Sequence, residues 1–114
     1  MHIRISWRGL PGILLPLAIA TYFYAPALFE GKTQIHGEII SHGIPLLDIL
    51  SNAINGGSSA LWTDKMYGGH PIFAEGQGGF THPLTFIVAW LTDPVTAYNA
   101  LSWLGMVLSG IGTY

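Results

Sequence analysis

The chain has 114 residues, of which 50% are hydrophobic and only 9% charged, with a formal net charge of −2 and no cysteine. A soluble domain of this length carries roughly a quarter charged residues, so too little charge is present to coat an ordinary globule, and the composition points to a membrane protein. The small negative charge and the lack of a Lys/Arg cluster exclude a nucleic-acid partner, and the absence of cysteine excludes disulfides and thiolate metal sites.

The first apolar run, Leu10 to Phe29, matches the 20 or so residues that a helix needs to cross the hydrocarbon core. Arg4 and Arg8 precede it without an acidic neighbour, which predicts a cytoplasmic N-terminus. Pro11 suits a first helical turn and Pro16 predicts a kink, while Tyr22, Phe23 and Tyr24 read as an interfacial aromatic belt. The rival is a cleaved signal peptide with Ala18-Ile19-Ala20 as its cleavage site. The apolar run continues past that point, which favours a retained anchor.

All six acidic residues lie between Glu30 and Asp93, with Lys32 and Lys65 beside them. This asymmetry predicts an outward-facing loop over residues 30–93. Within it, Ile44 to Asn55 reads as a short amphipathic helix with Pro45 in the first turn and Gly56 as its stop. Leu47, Leu50 and Ile54 form the apolar stripe, with Leu46 and Ala53 alongside; Asp48, Ser51, Asn52 and Asn55 fall on the other face. Gly56 to Pro83 is predicted to be a glycine-punctuated loop with little regular structure.

Leu84 to Leu91 is apolar but too short to span, so it is expected to be re-entrant or interfacial. Thr92-Asp93-Pro94 is a helix start, and the helix from Pro94 reaches Tyr114, where the sequence stops without a cap. Ser102, Gly105, Ser109 and Gly112 share one face of it, a stripe that lets membrane helices approach closely and would dock on a larger membrane partner. The expected fold is thus an all-α membrane protein with two transmembrane helices, 10–29 and 94–114, flanking an outward loop.

The order Gly-Glu, Pro, Asn-Gly-Gly, Leu-Trp, Gly-Gly-His-Pro and Gly-Gln-Gly-Gly-Phe-Thr-His-Pro-Leu after a first span resembles the YfhO-like bacterial membrane proteins, which lie in or near the GT-C class of integral-membrane glycosyltransferases. Glu38, Pro45, Gly56, Trp62, Gly69, Pro71, Gln77 and Pro83 carry the resemblance, which covers residues 31–114. Two positions depart from it: the acidic residue is Glu38 where the family has Asp, and His82 replaces the aromatic residue before Pro83. The resemblance implies a bacterial cytoplasmic-membrane location and a polyprenyl-phosphate sugar donor. It also implies a loop carboxylate that activates the acceptor or helps to hold a metal. GT-C enzymes need more spans than two, so a 114-residue chain is expected to be a fragment or truncated relative rather than a complete enzyme.

Glu38 is the candidate base, and His42, four residues on, shares its face if the segment is helical. An exposed polar pair at the membrane surface is the bland alternative. Trp62, His70, Gln77 and His82 are the candidate substrate-binding residues. His36, Glu38, His42, His70, Glu75 and His82 match no metal-ligand signature, so no metal site is assigned. Gly68, Gly69, Gly76, Gly78 and Gly79 would admit a phosphate or sugar against bare N–H groups, or serve as plain turn residues. Trp62 and Phe80 suit stacking on a sugar or anchoring at the interface; Trp90 and Trp103 suit lipid contact or packing. A competing function is a small accessory subunit of a larger membrane complex, of respiratory or photosynthetic type if the histidines and aromatics touch a pigment or quinone.

Overall fold

A computed structural model describes residues 9–33, 37–56, 59, 61–74 and 76–114, with the backbone alone at Gln77. Arg4, Arg8, His36 and Glu75 lie outside the described residues. Among those described the protein is all-helical, with no strand beyond one isolated bridge.

The first helix, α1, is Leu10–Phe29. It has Pro11 in its first turn, where the missing N–H costs no hydrogen bond. It is apolar all round and buries only Gly12 and Ala20, leaving Ile13, Leu14, Leu15 and Phe23 uncovered by protein. The Pro26 carbonyl accepts hydrogen bonds from the amides of Glu30 (3.1 Å) and Lys32 (3.2 Å), and this closes the helix end. Among the described residues, α1 is the single helix both long and apolar enough to cross a membrane. The last helix matches its length but is interrupted by Thr96, Asn99, Ser102 and Ser109.

A second helical stretch begins at Gly37, passes through a π turn at Ile39–Gly43 and continues as α2, Ile44–Ile54. The predicted amphipathic helix is therefore present as α2, with Pro45 in its first turn as expected; the helical turns that run into it from Gly37 were not expected. Leu46, Leu47, Ile49 and Leu50 are buried, whereas Asp48, Asn52 and Asn55 face outward. Gly56, at φ +80°, supplies the expected stop.

A short helix and a second long one complete the chain. α3 is Pro83–Leu91, and α4 is Pro94–Thr113. α3 buries Thr85 and Ala89 and exposes Phe86, Ile87, Trp90 and Leu91. Asp93 caps α4 as predicted: its Oδ1 accepts from the amides of Val95 (3.0 Å) and Thr96 (3.1 Å). Hydrogen bonds from the Thr96 side chain and then its amide hold the Asp93 carboxyl below its ordinary value of 3.8.

The hydrophobic core is built mainly by the chain between the two long helices, with Ala97 of α4 joining it. Leu46, Leu47, Ile49 and Leu50 of α2 pack with Ile72, Phe80, Ala89 and Ala97. Each large aliphatic side chain so buried contributes about 1.5–3 kcal/mol. The stretch predicted as a loop does more than connect: Ile72 and Phe80 are core residues, and two 3-10 turns, Ile72–Ala74 and Gly76–Gly78, deliver them. Burial of Phe80 removes it from the candidates for stacking on a ligand.

α4 returns antiparallel along α1. Contacts pair Ala27 with Asn99, Thr21 with Trp103, Pro16 with Gly110 and Gly12 with Tyr114. Trp103 Nε1 donates to Thr21 Oγ1 at 3.2 Å, so this tryptophan packs between helices. Gly110 admits α1, since a Cβ there would stand 2.5 Å from Pro16 Cβ. Gly110 is not part of the predicted small-residue stripe, and a Cβ on Gly105 or Gly112 would meet open space. That stripe is left uncovered by α1.

Candidate functional site

The site begins with Pro45. A proline inside a helix donates no hydrogen bond, and its ring crowds the carbonyl four residues earlier, here that of Ser41. The helix accommodates this by widening: the Ile44 amide donates to Ile39 O, five residues back. Ser41 Oγ donates to Gly37 O at 2.7 Å and steadies the turn before the bulge. The wide turn sets Glu38, Ser41 and His42 along one wall of a cavity of about 470 Å³.

Two tyrosines line the same cavity, together with Ile39, Gly43 and Leu46. Tyr98 of α4 lies against Gly43, where a Cβ would be 2.9 Å from the ring, so only glycine permits the approach. Tyr67 comes from the loop and has φ +54°, a left-handed conformation that costs a non-glycine residue about 1–2 kcal/mol. Gly68 (φ +74°) and Gly69 (φ +132°) follow it and complete a turn that only glycine makes without strain. The Tyr67 ring stands between two histidines, with centroids 6.4 Å from His42 and 5.6 Å from His70. Its hydroxyl is 3.5 Å from His42 Nδ1, the outer limit of a hydrogen bond.

The loop is held in place by Thr63 and His70, whose backbones pair through hydrogen bonds of 2.9 and 2.8 Å. Trp62 is exposed, and its ring lies against Gly69, where a Cβ would approach it to 2.6 Å. Of the predicted site residues, Glu38 and His42 thus come together in the cavity wall. His70 reaches it through Tyr67, and Trp62 lies one contact further out. His82 has a local role: its Nδ1 accepts from the Leu84 amide at 3.3 Å and caps α3. The side chain of Gln77 lies outside the described structure.

A second cavity of about 280 Å³ adjoins the first and shares Gly43, Leu46 and Tyr98 with it. Its other walls include Leu47, Thr85, Leu101 and Ser102, with Gly78 and Gly79 at one edge. Gly79 has φ +59°, and a Cβ there would sit 3.3 Å from Thr85 Oγ1. Tyr98 therefore stands between a polar chamber and a more apolar one.

No lysine or arginine is among the described residues lining either cavity, and Glu38 is the one carboxylate. Among the described residues, no three His, Asp or Glu side chains gather as a metal site would require. The arrangement suits proton transfer and hydrogen bonding at an aromatic-walled surface. Tyr67 and Tyr98 are the functional candidates that sequence reasoning missed. The Tyr-Gly-Gly run at residues 67–69 was a signal for the first, but the contact of Tyr98 with Gly43 had none.

No family model matches the chain, and no curated protein or solved structure shows significant similarity to it.

Proposed function

We propose that the Glu38 cavity is the acceptor side of a GT-C-like glycosyl-transfer site at the outer membrane surface, with the chain acting as part of a larger membrane enzyme. The observation that carries this reading is that Glu38 and His42 share a cavity walled by Tyr67 and Tyr98. It is supported by the π turn, a feature that recurs at functional sites, and by the strained Tyr67, since backbone strain concentrates where a side chain must be aimed.

In this mechanism Glu38 takes the proton of an acceptor hydroxyl as its oxygen attacks the anomeric carbon of the donor. The bond from that carbon to the phosphate oxygen breaks, and the polyprenyl phosphate leaves with the electron pair. A positioned base contributes about 10²–10⁴-fold to such a step. The tyrosine rings present flat faces suited to the apolar side of a sugar. The lack of a cation in the described walls argues that the phosphate is met elsewhere, by other parts of the assembly.

One observation favours a second reading, a non-catalytic subunit docked on a larger complex: the Ser102, Gly105, Ser109, Gly112 face has open space at both glycines. Purification from native membranes in mild detergent separates the two. The transferase reading predicts that sugar transfer from a polyprenyl-phosphate donor travels with the chain. Stoichiometric recovery with a large complex that lacks any such transfer would overturn it and leave the subunit reading.

A further inference from the structure

We infer that the Glu38 cavity selects a 1,2-amino alcohol, with a cationic nitrogen and a hydroxyl on adjacent carbons, such as an amino sugar or an ethanolamine-type headgroup. The inference rests on reading this cavity as the acceptor side and adds the chemistry of the acceptor. Three features of the wall carry it. Glu38 supplies the one carboxylate, and no described lining residue supplies a compensating lysine or arginine. Two tyrosine rings, Tyr67 and Tyr98, flank the same space. Aromatic faces together with a carboxylate make the usual receptor for an ammonium group, through ring quadrupoles and a charge-assisted contact.

Neither lysine of the described residues lines the cavity. Lys32 pairs with Glu30 at the surface, with Nζ 2.6 Å from Oε2, and Lys65 is not among the lining residues. An anionic ligand entering this cavity would therefore meet a like charge and, among the described lining residues, no lysine or arginine, with the His42 imidazole as the one basic group. A neutral alcohol would gain hydrogen bonds but nothing from the charge. A 1,2-amino alcohol engages both carboxylate oxygens, one by its ammonium and the other by its hydroxyl. That same hydroxyl is the one whose proton is removed in transfer. Ser41 and the Tyr67 hydroxyl offer further hydrogen-bond partners along the wall.

The test is ligand-observed NMR titration of the full chain in detergent micelles, with helix content checked by circular dichroism. Three probes are compared: choline, its neutral isostere 3,3-dimethyl-1-butanol, and inorganic phosphate. Choline should bind saturably, the isostere about tenfold more weakly or less, and phosphate should not compete. Glu38→Gln should weaken choline about tenfold and leave the isostere unchanged. Tyr67→Asn removes the ring while tolerating the left-handed backbone, so it weakens choline without disturbing the turn. Equal binding of choline and its isostere, displacement by phosphate, or no saturable choline binding by the folded chain would each overturn the inference. None of these outcomes depends on sugar transfer, so transfer activity without choline selectivity would sink this inference alone. Choline selectivity without transfer would sink the enzymatic reading alone.

Discussion

Asn99 ties the two long helices and the intervening loop together, and its removal has a calculable cost. The side chain is 5% exposed. Its Oδ1 accepts from Thr33 Oγ1 at 2.8 Å, and its Nδ2 donates to Lys32 O at 3.1 Å and Ala27 O at 3.4 Å. Replacing it by leucine removes all three bonds from a site that water does not freely reach. At about 1 kcal/mol for each bond, less for the long one, Asn99→Leu should destabilise by about 2–3 kcal/mol. Thermal unfolding followed by far-UV circular dichroism should then shift down by about 8–12 °C at roughly 4 °C per kcal/mol. Asn99→Asp is the sharper test. It keeps the acceptor for Thr33 but turns a second carboxylate oxygen toward two carbonyl oxygens, so it should be worse than leucine. A leucine variant within about 0.5 kcal/mol of wild type, or an aspartate variant no less stable than the leucine one, would refute the reasoning.

Three further outcomes follow from the same geometry. Asp93→Ala should cost about 1 kcal/mol through loss of the α4 cap. Because hydrogen bonds lower the Asp93 pKa in the folded state, its stabilisation is present above the ordinary value of 3.8 and is lost as pH falls through the lowered one; unfolding midpoints at neutral and acid pH check this, and Asp93→Asn should flatten the dependence. Gly110→Ala should destabilise by about 1–3 kcal/mol by forcing Pro16 away, whereas Gly105→Ala, facing open space, should stabilise by about 0.5–1 kcal/mol. Denaturation of both variants in detergent reads the opposite signs directly. Pro45→Ala should let the π turn close, raise helix stability by up to about 3 kcal/mol and rotate Glu38 by about 100° away from its cavity position. The expected result is a more stable protein that no longer binds choline.

Much of this fold was legible in the sequence because its helices obey local rules. α1 is an unbroken apolar run, and the Asp93-Pro94 pair fixes the start of α4. Gly56 ends α2 where the left-handed backbone demands it. Pro45 marks the first turn of α2 as expected, but it does not reveal the π turn at Ile39–Gly43 that runs into it. Whether the chain before Ile44 is already helical depends on tertiary packing. His82 stands in the sequence as a candidate binding residue, while the Pro83 that follows it marks a helix start for which a preceding acceptor serves as the cap.

The core residues Ile72 and Phe80 were hidden in a glycine-rich segment with no helical or strand period. The role of Asn99 depends on partners 66 to 72 residues away in sequence. Within the candidate site, the Glu38 and His42 pairing was read from an i, i+4 spacing. Their aromatic surroundings come from Tyr67 and Tyr98, which only folding brings to the same cavity.

The central claim is that the Glu38 carboxylate serves an acceptor in this cavity. It is tested most directly by measuring sugar transfer from a polyprenyl-phosphate donor in native membranes that carry either the wild-type chain or Glu38→Gln, at matched chain levels. The account predicts a fall of at least about a hundredfold with the isosteric amide, as expected when a positioned base is removed. Transfer by Glu38→Gln membranes at the wild-type rate would contradict it.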